Sequence, residues 1–371
     1  MLFRSIETKE NWGLVLGVFK WVYAGLSPFG GYVADRISRR HVICLSLLVW
    51  SLVTWLTADV RTFEQLLLMR ALMGISEAFY IPAALAMITD FHTGRNRSLA
   101  VGIHQTGIYI GLILGGMAGY AAEQPAIGWR FVFSSCGLTG ILYALPLMFI
   151  LKNPPQLAAR QPFNPAQTLH SLLSNVNFLL LVLYFTLPAI AGWVVRDWMP
   201  DILREKFSLS QGKAGLVSTF VHPACIAGAA VGGFLADRWM IRSHRGRIYI
   251  SAIGMAMFLP SLYAVGSAPT QFTAMAGLVL FGLGWGFFDC NNMPILCQIA
   301  RPELRATGYG IMNLVSISCG GFGDWGFGWL RDRNVPVNII FGAFALVAAL
   351  SIVIVLLIRP QTRDEHVGTQ A

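Results

Sequence analysis

The sequence predicts an all-α polytopic membrane protein made of two related halves. Of its 371 residues, 55% are hydrophobic and only 12% are charged, which is about half the charged fraction of an ordinary soluble domain. Apolar runs near the ~20 residues that a helix needs to cross a bilayer recur along the whole chain. One glycine- and arginine-containing motif also occurs twice, which indicates an internal repeat.

Eleven apolar runs are predicted to be transmembrane helices. Strands of a membrane barrel would alternate polar and apolar residues, whereas these runs are continuously apolar. An odd number of spans with the 30–40 loop in the cytoplasm places the N-terminus outside and the C-terminus inside. The predicted spans are 13–33, 41–59, 64–90, 98–121, 129–151, 176–195, 214–236, 248–266, 271–300, 307–330 and 336–358.

Two pairs of similar segments define the repeat. "GGYVADRISRR" at 30–40 and "GGFLADRWMIR" at 232–242 share six of eleven positions, and "RSLAVGIHQ" at 97–105 resembles "RATGYGIMN" at 305–313. Between them, "KNPPQLAARQPFNPAQ" at 152–167 is polar and contains prolines, which favours a loop. The predicted organisation is an N-terminal half at 1–151, a cytoplasmic central loop at 152–173 and a C-terminal half at 174–371.

The first half contains one predicted helix fewer than the second. Two spans, 176–195 and 214–236, precede the repeated motif in the second half, whereas only 13–33 precedes it in the first. Equal halves would have six helices each, and this chain has five and six. We therefore expect a further helix to be encoded upstream of Met1, with a naturally shortened chain as the alternative.

The formal net charge of +9 is distributed as in a membrane protein. With the 30–40 loop in the cytoplasm, fifteen Lys and Arg residues fall on the cytoplasmic side and nine outside, the direction of the positive-inside rule. This predicts a multi-pass protein of the cell membrane and no nucleic-acid partner. The sequence has no nucleophile–base pair, phosphate loop or metal-ligand spacing, so it predicts neither an enzyme nor a cofactor.

Arg70 and Glu77 are charged residues deep inside the 64–90 span. A separation of seven residues places them on one helix face, and an ionisable residue inside the membrane is a functional candidate because its burial is costly. Arg70 is predicted to bind an anionic substrate and Glu77 a coupling proton. The alternative is a structural ion pair between helices.

Lys20 and Tyr23 share a face of the first span, because they are three residues apart. Lys20 is predicted either to contact substrate or to extend its ammonium group towards the outer membrane surface. Tyr23 is predicted to contact substrate, or else to pack with its hydroxyl bonded to a partner.

Asp289, Asn291 and Asn292 form a polar cluster in the middle of the 271–300 span. Such a cluster must face other protein or a water-filled cavity, because lipid cannot satisfy it. Asp289 and Asn291 are predicted to line the cavity. The alternative is a polar kink before Pro294.

Gln105 and Asn313 occupy matching places in the repeat, so we expect them on two walls of one cavity. Weaker candidates are His104, His222 and Asp324. Arg196 and Asp197 lie near the outer end of their predicted span, where we expect them to remain hydrated.

The repeated motif and the order of the spans resemble the major facilitator superfamily. That family carries G-x-x-x-D-R-x-G-R-[RK] in the cytoplasmic loop after its second helix, and Ser38 stands here where glycine is usual. The resemblance covers the whole chain. It implies two six-helix halves, a substrate site near the bilayer midplane between them, and alternating access by rocking of the halves. The matching residues are Gly31, Asp35, Arg36, Arg39 and Arg40, with Gly233, Asp237 and Arg238 in the second copy.

The resemblance also implies a gating role for this motif. The two glycines permit close approach of helices, and each aspartate faces the positive N-terminus of a helix in the other half. For Asp35 that helix is expected to begin around Arg305. The motif would then hold the halves together in the outward-open state. The alternative is a basic loop that only anchors the protein to lipid.

Within the superfamily, the chain is similar to the anion:cation symporter branch, which takes up sugar acids such as hexuronates and galactonate. "FKWVYAGLSPFGGYVADR" resembles its second helix, and Ile108 and Met293 replace a glutamine and a tryptophan typical of the branch. The similarity implies proton coupling through Arg70 and Glu77. It implies substrate binding through Tyr23, Asn292 and Asn313.

The predicted function is therefore secondary active transport of a small organic anion, such as a hexuronate or aldonate, by proton symport. The expected partners are that anion, protons and the lipid bilayer, and the working unit is a single chain. Two alternatives remain. One is exchange of organic phosphate for inorganic phosphate, with Lys20 and Arg70 holding the phosphate. The other is a membrane sensor or inactive shortened chain on the same scaffold.

Overall fold

The computed structural model describes residues 8–92, 96–122, 124–153 and 165–360. These residues form α-helices and one 3-10 turn, Pro302–Leu304, and within them there is no strand. The helices are α1 (Lys9–Arg36), α2 (Arg39–Thr57), α3 (Phe63–Phe91), α4 (Arg97–Ala122), α5 (Gly128–Ile150), α6 (Pro165–Leu173), α7 (Val176–Phe207), α8 (Gln211–Ser218), α9 (Val221–Met240), α10 (Gly246–Ser267), α11 (Gln271–Ile299), α12 (Arg305–Asp332) and α13 (Val337–Leu357).

The predicted fold class is confirmed, because a helix or helix pair occupies each predicted span. The 214–236 span consists of α8 and α9, which are separated at 219–220. Nine spans in the described part are long and apolar enough to cross a membrane, with α8 and α9 taken as one. The helices α1 and α12 are of similar length but less apolar.

Two details differ from the prediction. The expected central loop contains α6, a short helix directly before α7, and its residues 154–164 lie outside the described residues. The helix α7 continues to Phe207 rather than ending at 195, so the segment expected to be a hydrated loop is helical.

The repeat is also visible in how helices begin. Thr62 caps α3 and Thr270 caps α11, each through a reciprocal capping box with the residue three positions later. The two threonines are separated by the same number of residues as Arg97 and Arg305. The described structure thus extends the internal repeat beyond the segments that are similar in sequence.

Two helix pairs join the parts of the molecule before and after the central loop. The helix α1 packs most extensively against α12, and α4 packs against α9. Their backbones touch, because a Cβ atom at Gly31 would lie 2.3 Å from the Ala306 carbonyl oxygen and one at Gly102 would lie 2.8 Å from that of Ala229. Glycine permits such contact between membrane helices. We call the bundle end that carries Asp35 and Asp237 the motif end, and the opposite end, which carries Lys9, the far end.

Candidate functional site

At the motif end, Asp35 lies against the first turn of α12. Its Oδ2 atom accepts hydrogen bonds from the Thr307 backbone N–H at 2.8 Å and from the Thr307 hydroxyl at 2.7 Å. The helix α12 begins at Arg305, where the sequence places it. A carboxylate at a helix N-terminus is stabilised by the helix dipole and by otherwise unpaired N–H groups.

Asp237 makes the equivalent contact in the second copy. It accepts hydrogen bonds from the backbone N–H groups of Leu99 at 2.9 Å and Ser98 at 3.4 Å, in the first turn of α4. Each repeated aspartate therefore binds a helix from the other part of the chain. The gating role of these contacts stays a prediction.

Buried arginines support both aspartates. Arg39 donates to Asp35 at 3.3 Å and to Asp90, which also lies 3.8 Å from Arg305. In the second copy, Arg247 donates to Asp237 at 3.0 Å and to the Ser98 hydroxyl at 2.9 Å.

The sequence analysis missed Asp90 and Arg247. Both are charged residues at the ends of apolar spans, and that position is the only sequence signal that marks them. Their partners are on other helices, so the repeat does not reveal the contacts.

The other motif residues have different surroundings. Gly31 and Gly233 lie at backbone contacts with α12 and α4, the latter with a hypothetical Cβ 3.0 Å from the Ser98 carbonyl oxygen. Arg40 donates to the Met148 carbonyl oxygen. Arg36 is exposed and stacks on Tyr32 at 4.5 Å, and Arg238 is exposed.

Midway along α1 and α12, Tyr23 and Asn313 meet. The Asn313 amide donates to the Tyr23 hydroxyl at 3.3 Å and to the Ser27 hydroxyl at 3.2 Å. All three side chains are buried. The structure therefore brings together two predicted substrate ligands from the two parts of the molecule.

Arg70 and Glu77 are half-buried on α3. Among the described residues, neither side chain has a hydrogen bond or an ion pair within 4.0 Å. Arg70 lies in the electrostatic field of Asp197 and Glu77, and Glu77 lies in that of Arg196 and Arg70. The two α3 charges thus face α7 across the interior without direct contact.

Lys20 is buried between two acids of other helices. Its side chain is 2% exposed, and its ammonium group donates to Asp197 on α7 at 2.5 Å and to Asp324 on α12. It also lies 4.3 Å from the ring centroid of Trp193. Lys20 therefore points into the protein in this structure and does not extend to the membrane surface.

The expected hydration of Asp197 is wrong. Its side chain is only 16% exposed, because α7 continues past it and packs it against Lys20. Arg196 is 42% exposed, and it lies in the electrostatic field of Glu77, Asp289 and Asp324. Arg196 is therefore partly exposed, while its charge acts on three acids of the polar centre.

Asp289 connects α11 to α4. Its Oδ2 atom accepts hydrogen bonds from the Tyr109 hydroxyl at 2.6 Å and from the Gln105 amide. Gln105 and Asp289 were both predicted to line the cavity, whereas Tyr109 was not. Tyr109 lies four residues after Gln105, so the helical period placed it on the same face.

The two asparagines beside Asp289 are completely buried. The Asn291 amide donates to the Phe287 carbonyl oxygen at 2.9 Å. Within the described part of the chain, the Asn292 side chain has no hydrogen-bond partner at either amide atom. The Nδ1 atoms of His104 and His222 are likewise buried and unpartnered there.

At the far end, α1 carries a second ionic contact. Lys9 binds Glu205 and lies 3.6 Å from Asp201, and Arg331 donates to Glu205 at 2.9 Å. These side chains are 20–37% exposed. At this end Glu205 of α7 therefore joins α1 to α12.

The fold and the site define a polytopic helical membrane protein whose related halves meet around a buried polar centre. A family model described as Major Facilitator Superfamily matches residues 8–323. The chain belongs to the Major Facilitator Superfamily, as the repeated motif predicts.

Known proteins of similar sequence and structure give the same family context. The chain is 27% identical to protein spinster homolog 1 of Xenopus tropicalis, over 85% of this chain and 64% of that protein. It is 25% identical to a probable L-galactonate transporter of Escherichia coli (strain K12), over 95% of this chain and 82% of that one. The chain thus spans less than two thirds of the length of the spinster relative.

The fold is similar to the crystal structure of the human organic anion transporter MFSD10. The TM-score is 0.76, and the match covers 92% of this chain and 83% of that one at 16% identity. Because the two sequences are only 16% identical, this similarity shows the fold alone.

Proposed function

We propose that the protein is a secondary active transporter that moves a small organic anion across the cell membrane by proton symport and alternating access. Family membership and the probable L-galactonate transporter among its relatives support this proposal. In the proposed orientation the motif end is cytoplasmic, the far end is outside and the C-terminus is cytoplasmic.

The observation that carries the proposal is the arrangement of charges around α3 and α7. Arg70 and Glu77 on one side and Arg196 on the other influence one another electrostatically, yet among the described residues Arg70 and Glu77 have no direct ion-pair partner. Guanidinium groups recognise carboxylates through paired hydrogen bonds. Arg70 and Arg196 would therefore bind the carboxylate of the substrate.

Neighbouring polar groups suit the hydroxyls of a sugar acid. Tyr23 and Asn313 hold each other in this structure, and their hydroxyl and amide groups can exchange that bond for bonds to substrate. The buried Asn292 amide is unpartnered among the described residues. An unsatisfied buried polar group costs about 1–3 kcal/mol, and a substrate hydroxyl near Asn292 would relieve that cost.

Glu77 is the proposed carrier of a coupling proton. A protonated Glu77 and a bound anion add little net charge to the closing interior, whereas an anion alone would add a charge that is costly to bury. The halves then rock about the α1–α12 and α4–α9 interfaces, so that the contacts of Asp35 and Asp237 break when the cytoplasmic side opens.

The test uses the full chain reconstituted in liposomes with labelled L-galactonate as the probe. An inward proton gradient should drive accumulation, and a protonophore should abolish it. Glu77→Gln should lose gradient-driven accumulation and its pH dependence, whereas Glu64→Gln, an exposed acid at the start of the same helix, should behave as the wild type. Undiminished gradient-driven uptake by Glu77→Gln would show that Glu77 does not couple protons.

The same liposomes separate the two other functions. Exchange of organic phosphate accelerated by external inorganic phosphate, without need of a proton gradient, would identify an antiporter. Its proposed phosphate ligand Lys20 is bound by two carboxylates in this structure, so it would have to leave them before it could hold phosphate. Ligand binding without any flux would identify a sensor or an inactive chain.

A further inference from the structure

The ionic cluster of Lys20, Asp197 and Asp324 joins three helices. Lys20 is on α1, Asp197 is on α7 and Asp324 is on α12. Asp324 is completely buried, and its Oδ1 atom has no hydrogen-bond partner in the described part of the chain. A carboxylate in such a place is costly unless it is neutralised by a cation or a proton.

The charges that face Asp324 come from two neighbouring helices. Lys20 reaches it from α1, and Arg196 and Asp197 face it from α7. Asp197 is also 3.9 Å from Arg196 and lies in the field of Arg70 from α3. Lys20 contacts both acids and Arg196 lies near them, so the two cations together balance Asp197 and Asp324, and release of Lys20 would leave one carboxylate without a cation.

We propose that Asp324 is a proton-binding site that competes with Lys20 and thereby couples proton binding to anion binding. This proposal rests on the transport function proposed above, and Asp324 and Glu77 would be successive sites for the one proton that accompanies the anion. In the empty closed protein, Lys20 pairs with ionised Asp324. When Asp324 takes a proton from the outside, Lys20 is released and pairs with the carboxylate of the substrate.

The charge balance of the cluster explains why the proton and the anion would move together. Lys20 with ionised Asp324 is neutral, and so is Lys20 with the substrate anion beside protonated Asp324. A proton without substrate leaves Lys20 uncompensated, and substrate without a proton leaves one negative charge in excess. Burying either unbalanced state is unfavourable, so the interface closes only when it is empty or carries both.

The position of the cluster fits this cycle. Lys20 belongs to the first part of the molecule, and both acids belong to the second, so opening of the α1–α12 interface from the far end separates them. The more exposed Lys9, Glu205 and Arg331 contact lies beyond the cluster on the same side. Opening would therefore connect Asp324 to external water at the moment when it loses its cation.

The transport test compares two aspartates of α12 in liposomes, with L-galactonate as the probe. Asp324→Asn should lower accumulation driven by a proton gradient at least tenfold, while exchange of labelled for unlabelled galactonate persists. Asp332→Asn, at the exposed end of the same helix, should accumulate substrate as the wild type does, because an asparagine oxygen can still accept the 3.0 Å hydrogen bond that Asp332 receives from the Glu10 backbone N–H. Gradient-driven accumulation by Asp324→Asn within twofold of the wild type would overturn the proposal.

A second test needs no substrate, so it remains informative if galactonate is not transported. Lys20 lies over the Trp193 ring, and its release should change the emission of Trp193 when the purified protein is acidified. Comparison with Trp193→Phe identifies the part of the emission change that comes from Trp193. This Trp193 signal should be absent when Asp324→Asn is acidified and present when Asp332→Asn is acidified. Its absence from the wild type, or its presence in Asp324→Asn, would refute the proton site.

A double variant without either charge tests the proposal even if Asp324→Asn alone fails to fold. Lys20→Gln with Asp324→Asn removes both charges together, so neither remaining side chain is a buried unpaired ion. This double variant should fold, show no Trp193 response and accumulate no galactonate under a proton gradient. Gradient-driven accumulation by a folded double variant would exclude both residues from coupling.

Discussion

The α1–α12 and α4–α9 interfaces both join the parts of the chain before and after the central loop and correspond to each other in the internal repeat, but they are built differently. At the motif end both contain an aspartate at a helix N-terminus with a buried arginine beside it. Towards the far end they diverge. The α1–α12 interface contains Lys20 and its two acids, whereas α4 approaches the segment between α8 and α9 through Gly116, where a hypothetical Cβ would lie 2.3 Å from the Thr219 side chain. Outside its interfaces, α4 carries glycines with no described atom within 4 Å of a hypothetical Cβ, namely Gly107, Gly111, Gly115 and Gly119.

The difference suggests two roles in transport: closure of the protein at the motif end, and coupling of proton binding to anion binding. The repeated aspartates give both interfaces the same contact at the cytoplasmic end of the proposed orientation. At the α1–α12 interface a buried cation and its acids must find new partners when the two parts separate, whereas α4 holds the buried Asp289 through the neutral Gln105 and Tyr109. We therefore expect α1 and α12 to carry the charge changes of the transport cycle, and the glycine face of α4 without described contacts to tolerate alteration.

The largest expected contrast is between a glycine inside an interface and a glycine outside one. In Gly31→Val the new side chain meets the Ala306 backbone, and such overpacking costs about 1–3 kcal/mol or more. Gly31→Val should therefore abolish galactonate uptake and lower the melting temperature in detergent. Gly111→Val is the matched control, and equal losses in both variants would show that the two surfaces do not differ as described.

The next effect concerns the repeated aspartates. Replacement of a carboxylate by a neutral amide at a partly buried helix N-terminus should cost up to ~2 kcal/mol, which is more than tenfold in a conformational equilibrium. Asp35→Asn and Asp237→Asn should each reduce the uptake rate by about that factor. A large loss in one variant alone would mean that one interface controls closure at this end.

A smaller effect is expected at Tyr109. Tyr109→Phe removes a 2.6 Å hydrogen bond to Asp289, and a bond to a charged group contributes about 1.5–3 kcal/mol. Because Gln105 still donates to Asp289, we expect a loss near the lower value, measured by thermal unfolding. Tyr120→Phe, at an exposed position on the same helix, should leave the melting temperature unchanged.

The smallest effect should come from Lys9. Partly exposed ion pairs are screened by water and salt and contribute about 0.2–1 kcal/mol. Lys9→Ala should change uptake less than twofold, and the change should shrink further at high salt. A loss as large as that of Asp35→Asn would assign the far-end contact a controlling role.

Much of the architecture could be predicted because hydropathy and the repeat act over long segments. The position of Asp35 followed from the motif, and the start of α12 near Arg305 followed from the second similar pair. The surroundings of Asp197 could not be predicted in this way. Helical periodicity gives the face and depth of a residue, but it does not say which helix of the other half lies opposite.

The same limit explains the missed residues of the site. Asp90 and Arg247 act through partners on distant helices, and Arg196 was assigned to the surface because the predicted span ended too early. The end of α7 was obscured by Asp201, Arg204 and Glu205, which resemble a polar loop in sequence. In the structure these residues continue the helix, and Lys9 and Arg331 compensate their charges.

The most direct test of the difference between the interfaces is a distance between the far ends of α1 and α12. Spin labels at Asn11 and Arg333, in a chain whose six cysteines are replaced, would report it by double electron–electron resonance. Acidification should populate a longer distance, and Asp324→Asn should show that distance already at neutral pH. A distance distribution unchanged by both acidification and Asp324→Asn would contradict coupling of protons to the α1–α12 interface.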